Sequence, residues 1–214
     1  MGTDALGGDW VGVFMQRKVW RLTADDVADW VERNPTFFRF LRELVPAGGH
    51  ILELGCGPGR HGIGAALQGF SVRGIDIDPD VVEQATRNAR EVAPSAAISF
   101  TTGDMLALDA LPRPEGGFDA ITHGGLMEHF PSAEAIRESI DAQLRLAPLV
   151  VFDVPVGTPK NVRLFERDDI FRQVWTPEVW LTHVLAGFAV LSWQQEEHSA
   201  PNMTDDLVVA LSRG

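Results

Sequence analysis

Between residues 50 and 212 the chain alternates short apolar runs with longer segments whose apolar residues recur at helical spacing. The runs at 50–54, 71–75, 97–101, 118–122 and 149–154 are each bounded by Gly, Pro or Asp and predict strands. The segments near 59–68, 79–92 and 132–146 predict helices between them. Strands alternating with helices of this length build a parallel, doubly wound sheet covered on both faces. After Pro177 a further helix runs to about Ala186, and then the rhythm changes. Residues 188–197 and 207–211 are joined by "HSAPNMTD", which is too short for a crossover helix, so they predict a hairpin. The expected sheet has seven strands, six parallel and the last one antiparallel.

The N-terminal part follows a different pattern. Residues 1–22 are rich in Gly and Trp and match no period. Thr23 with Asp26 three later reads as a helix start, followed by Val27, Trp30 and Val31 at helical spacing. Pro35 interrupts, and Phe37, Phe38, Phe40, Leu41 and Leu44 continue a second short helix. We therefore expect an N-terminal helical cap over 1–45 and a main domain over 46–214. Trp30, Phe37 and Phe40 are expected to pack these helices onto the sheet.

Composition narrows the function classes. At 214 residues, 45% hydrophobic and 22% charged, the chain is long enough for a proper core and ordinary for a globular protein. No apolar stretch is long enough to cross a bilayer, and Asp4 and Asp9 stand where a secretory signal would be basic and apolar. The expectation is a cytoplasmic protein without a membrane partner. The single cysteine, Cys56, excludes an internal disulfide and every multi-cysteine metal site. A net charge of −12 leaves too few cations to neutralise a phosphate backbone, so no nucleic-acid partner is expected. A cationic or neutral small molecule suits such a field better.

The stretch "ILELGCGPGRHG" over 51–62 raises the central question. Gly57, Gly59 and Gly62 spell the G-x-G-x-x-G of a dinucleotide site, while Glu53, Gly55, Gly57 and Gly59 spell a different motif. In both, a glycine turn lets backbone approach a ligand at the start of a helix, whose N–H groups and dipole favour negative charge. Both also expect an acid after the second strand to hold ribose hydroxyls, and Asp76 stands there. Register separates them. The strand ends at Leu54, which places Gly55 at the tight turn and starts the dinucleotide motif two residues too late. A short-chain dehydrogenase needs a catalytic Tyr, and the chain has none.

"LELGCGPGRHGIGAALQGFSVRGIDIDPDVVEQATRNA", "TTGDMLALD", "FDAITHGGLMEHF" and "TPEVWLTHVLAGFAVL" stand in order along the chain. With the terminal hairpin they resemble the landmarks of the class I S-adenosylmethionine-dependent methyltransferases over about residues 45–212. The resemblance implies a Rossmann-like α/β fold, the cofactor S-adenosyl-L-methionine and the product S-adenosyl-L-homocysteine. It implies that Gly55, Gly57 and Gly59 floor the cofactor, that Glu53 lies near the methionine ammonium, and that Asp76 takes the ribose hydroxyls. Ile77 would pack beside ribose or adenine, Asp104 would accept from the adenine amino group, and Met105 would supply a backbone N–H and an apolar wall. His123, after the fourth strand, would stand beside the methyl donor, as a general base or as a plain cofactor wall. Glu128 and His129 match an element at the start of the following helix and could face the substrate. Arg60 and His61 open the first helix, either to help with the cofactor carboxylate or to face solvent.

Two segments are expected to cover the ligand edge of the sheet. One holds Trp10, Phe14, Arg17, Trp20 and Trp30; the other holds Arg163, Phe165, Arg167, Phe171 and Trp175. Trp20 and Trp175 are the substrate-wall candidates. The region "THGGLMEH" lacks the Asn/Asp-Pro-Pro-Tyr element of enzymes that methylate amino groups of adenine or glutamine. The expectation is methyl transfer to oxygen or nitrogen of a small molecule by in-line displacement, without a metal. The alternatives are a non-catalytic S-adenosylmethionine-binding partner protein and, further off, a nicotinamide-dependent oxidoreductase.

Overall fold

The computed structural model describes residues 9–166, 170–200 and 203–213. The first eight residues of the expected cap, Arg167, and two residues of the hairpin connection lie outside them. Seven strands form one sheet: β1 (His50–Leu54), β2 (Ser71–Asp76), β3 (Ile98–Thr102), β4 (Ala120–Gly124), β5 (Leu149–Pro155), β6 (Ala189–Glu196) and β7 (Asp206–Ser212). Their order is β3-β2-β1-β4-β5-β7-β6. Pairings among β1 to β5 are parallel, and β7 runs antiparallel to both β5 and β6. The expected sheet is therefore the observed one. The strand expected at 118–122 is displaced: it starts at Ala120 and runs to Gly124.

Alternation along the strands sorts side chains between two packed layers. On one face α2 (Ala24–Arg33), α3 (Pro35–Leu44), α4 (Arg60–Leu67) and α5 (Pro79–Val92) cover Ile51, Val72, Phe100, Val151, Val208 and Ala210. On the other, α6 (Ala133–Leu146) and the segment Trp180–Val184 cover Leu52, Leu54, Ile121, Val150, Phe152 and Val209. Phe37, Phe38, Phe40 and Leu41 of α3 are almost wholly buried in the first layer. In front of the sheet edge lie α1 (Trp10–Gln16) and α7 (Pro159–Phe165).

The helix starts are chemically specified. Thr23 and Asp26 form a reciprocal capping box at α2. Asp78 accepts from Asp80 N–H at 2.8 Å ahead of Pro79, and Ser132 accepts from Ala135 N–H at 3.2 Å. By contrast α4 begins at Gly59, which has no side chain to cap it, and within its first turn the Gly62 N–H faces the buried Glu53 carboxyl. Trp180–Val184 closes as a π-type turn, and Arg137 of α6 donates to the carbonyls of Val184 and Ala186.

Candidate functional site

The C-terminal ends of β1, β2, β4 and β5 open onto a cavity of about 470 Å³. That edge is where open α/β sheets leave a crevice between diverging helices. Gly55 and Gly57, with φ of 58° and 51°, carry the chain out of β1 in a conformation that side chains disfavour. The turn is tied to β2: Cys56 N–H donates to Ile75 O at 2.9 Å, and Gly57 N–H donates to Asp76 Oδ2 at 3.0 Å. Asp76 Oδ1 accepts from Asp78 N–H at 3.1 Å. Burial pushes the Asp76 carboxyl above its usual value, against the pull of these N–H groups.

A third tie holds the turn from outside. Buried Asn88 of α5 donates to the carbonyls of Trp20 at 3.0 Å and Pro58 at 2.9 Å. Its Oδ1 accepts from Leu22 N–H and from the Gln84 amide. Trp20 contributes to this link through its backbone and stands outside the cavity border, so its expected place on a substrate wall is corrected.

Of the other expected residues, Ile77, Asp104, Met105, Glu128 and His129 border the cavity with Gly55, Gly57 and Asp76. Asp104 Oδ1 accepts from Leu106 N–H at 2.8 Å and turns the chain there. That turn sends Met105 into the core, while Leu106, not singled out from sequence, is 56% exposed. Ile77, also on the border, is 51% exposed. Glu128 and His129 form a buried turn after β4, with His129 Nδ1 2.8 Å from Phe171 O.

Besides Trp20, four expected residues lie off the border. Gly59 sits behind the turn as the start of α4, its φ of 95° setting the Phe100 ring where a Cβ would otherwise go. Glu53 is buried beneath the same helix start, not beside the cavity. Desolvation pushes its pKa up to about 8, with the Gly62 N–H working the other way. His123 lies inside β4 because the strand runs two residues beyond the expected end. Its ring stacks on Phe152 at 5.0 Å, is wholly buried, and leaves both nitrogens without a hydrogen bond. Burial pushes its pKa down to about 3, which fits a neutral core imidazole and not a base in contact with a ligand. Trp175 packs edge-on against Trp180 at 5.4 Å and belongs to the core.

The structure puts Trp10, Phe14 and Arg17 of the N-terminal segment at the cavity, as expected, turns Trp30 there as well although it was read as core, and adds acids that sequence reasoning passed over. Trp30 borders the cavity, its ring 3.7 Å from the Arg60 guanidinium carbon and 5.1 Å from His61. Phe14 of α1 lies over Gly57, and Trp10 meets His129 edge-on at 5.0 Å. Asp153 closes the β5 end: Oδ1 accepts from Gly125 N–H at 3.0 Å, and Oδ2 lies 3.3 Å from His61 Nε2. Asp206, opposite Pro155 in the β5–β7 register, borders the cavity from the first residue of β7. The sequence carried a signal for both: an acid at the end of the apolar run "VVFDVP" and another opening "DLVVAL". Among the described residues no group of three or more ligating side chains could hold a metal ion, and no helix is long and apolar enough to cross a membrane.

Residues 51–145 match the family model described as "Methyltransferase domain". The ubiquinone biosynthesis O-methyltransferase of Xanthomonas axonopodis pv. citri is 31% identical over 104 residues, 48% of this chain and 42% of that one. An S-adenosyl-L-methionine-dependent Diels-Alderase of Talaromyces variabilis is 41% identical over 69 residues, 32% of this chain and 24% of that one. This chain thus spans less than half the length of these curated relatives. Among solved structures, magnesium protoporphyrin IX methyltransferase from Synechocystis PCC 6803, with bound S-adenosylhomocysteine, superposes with a TM-score of 0.62 at 18% identity. That match covers 89% of this chain and 81% of that one. An N-methyltransferase of Bradyrhizobium japonicum WM9 gives 0.62 at 18% identity, over 85% and 86% of the two chains. At such identities the likeness is one of fold.

Proposed function

We propose that this chain, which matches a methyltransferase family model over residues 51–145, is a class I S-adenosylmethionine-dependent methyltransferase that methylates an oxygen or nitrogen of a small-molecule acceptor and leaves S-adenosylhomocysteine. The observation that carries this reading is Asp76 at the end of β2, held against the Gly57 N–H on the border of the cavity. Each Asp76 oxygen takes one backbone N–H, and a carboxylate oxygen has a second lone-pair direction, so two vicinal ribose hydroxyls can still be accepted. Asp104 keeps Oδ2 for the adenine amino group, and the Met105 backbone N–H lies beside it. Ile77 and Leu106 are the half-exposed aliphatic side chains suited to the two faces of a purine ring. Gly55 and Gly57 bring backbone up to the methionine part, beside the uncapped start of α4.

S-adenosylmethionine, when bound, supplies a methyl group made electrophilic by a sulfonium. The protein's part is to hold the acceptor atom in line behind that methyl and to exclude water, which Trp10, Phe14 and Trp30 do from the open side. Glu53 and Gly59 act through the turn they support and are positioning residues.

Calorimetric titration with S-adenosylmethionine, S-adenosylhomocysteine and NAD tests the reading. Micromolar binding of the first two without NAD supports it, and binding of NAD alone sinks it. The local likeness to a Diels-Alderase supports a second reading, in which the bound cofactor holds a site without giving up its methyl. Methylated product from an acceptor panel separates the two.

A further inference from the structure

Three carboxylates converge on the acceptor side of the cavity from three different elements. Glu128 comes from the turn after β4, Asp153 from the end of β5 and Asp206 from the start of β7. Asp153 and Asp206 are diagonal neighbours on one face of an antiparallel pair, a spacing that side chains bridge. Each of the three is more than nine-tenths buried as a residue. Oε2 of Glu128 has no hydrogen-bond partner, Oδ2 of Asp153 has only the His61 ring 3.3 Å away, and Asp206 Oδ2 is met by the Thr204 hydroxyl at 3.0 Å. Leaving such oxygens unmet in a folded interior is costly, the more so when they are charged.

Among the described residues, several further charged groups stand around them, and Arg17 also borders the cavity. Arg172 acts on Glu128, and His129 Nε2 lies 3.6 Å from its Oε1. Arg60 and His61 of α4 face Asp153. Glu196 and Asp205 add negative charge around Asp206, with His198 3.9 Å away. Trp10, Phe14, Trp30 and Phe165 complete the wall. Orphaned carboxylate oxygens beside aromatic faces are the complement of an organic ammonium.

We propose that the acceptor is an amine, bound as its ammonium against Glu128, Asp153 and Asp206 and methylated on nitrogen. The proposal rests on the methyltransferase reading above. The ammonium gives one proton to a carboxylate of the trio. Its freed lone pair forms the N–C bond as the C–S bond breaks, and the C–S electron pair leaves with sulfur as a neutral thioether. The product is a methylammonium, and the carboxyl returns its proton to solvent. Burial raises the Glu128 and Asp206 carboxyls, and the positive charge of a bound ammonium draws them back toward the ionised form, so that one of them can take the proton as the amine is freed.

The test is calorimetric titration of the S-adenosylhomocysteine-saturated protein with propylamine, benzylamine and 2-phenylethylamine. Each amine is run beside the alcohol and the carboxylate of the same shape. At least one amine should bind ten times more tightly than both its counterparts. Glu128→Gln and Asp206→Asn should each weaken that amine about tenfold while leaving S-adenosylhomocysteine affinity within twofold, which also certifies the fold. Alcohols or carboxylates binding as well as the amines overturns the proposal. So does an amine series that fails to bind the loaded protein, or amine affinity indifferent to both variants. Failure of S-adenosylhomocysteine itself to bind is a different result and removes the methyltransferase reading first.

Discussion

Asp76 and His123 show how far single residues could be read from sequence. Asp76 was legible because its task depends only on coming after a strand end about twenty residues beyond a glycine turn. Asp76→Ala should weaken S-adenosylhomocysteine by about 10²- to 10³-fold, on the order of two hydrogen bonds to a charged acceptor, with the circular dichroism unchanged. His123 was misplaced because a shift of two residues keeps a side chain on the same face but moves it from the rim into the sheet. His123→Leu should leave cofactor affinity within about threefold by calorimetry. Its folded pKa of about 3 lies below the ordinary histidine value of 6.5, so the unfolded chain binds the extra proton between them. That contribution is full above about pH 6.5 and is lost as pH falls toward 3, so the variant should unfold less readily in acid than the native chain. Glu128 has the opposite sign. Its folded value of about 8 exceeds the ordinary glutamate value of 4.5, so stability falls as pH rises through that interval. Glu128→Gln should therefore gain on the native chain between about pH 5 and 8, by a few kcal/mol at most, in urea melts at the two ends.

At the scale of elements, the helix starts and strands were legible wherever a local rule fixes them. The Thr23–Asp26 box and the Asp78–Pro79 start are of this kind. What stayed hidden depends on neighbours remote in the chain. Trp30 sits at helical spacing with core residues, and only the packing of α2 against α4 turns it beside His61 and onto the cavity. Asn88 reads as one more polar position of α5, yet it joins α5, the segment before α2 and the glycine turn. Asn88→Leu would leave two carbonyls and an N–H without that partner, and should cost roughly 3–5 kcal/mol. Because Pro58 lies in the turn, the same variant should also lose cofactor affinity, measured by calorimetry at a temperature where it remains folded.

For the whole molecule, the alternating pattern gave the sheet and its antiparallel last strand, since each follows from connection length. Of the proposed acceptor wall only Glu128 was legible, because Asp153 and Asp206 join it only after the sheet has closed its order. A ligand held across several strands should stabilise the entire domain. At about a hundred times its Kd, S-adenosylhomocysteine adds about 2.7 kcal/mol, which for a chain of this size is a melting shift of roughly 5–11 °C. No shift in differential scanning fluorimetry would contradict a site spanning β1, β2 and β4. The reversal at β7 has one more consequence. It sets the beginning of the last strand on the same rim as the ends of the parallel ones, so the hairpin reaches the acceptor side while the glycine turn and Asp76 belong to β1 and β2. On the proposed reading the donor side is drawn from β1 and β2, while the last strand adds Asp206 to an acceptor side begun by Glu128 and Asp153. Changing the hairpin should then alter acceptor choice and leave recognition of the methyl donor as it was.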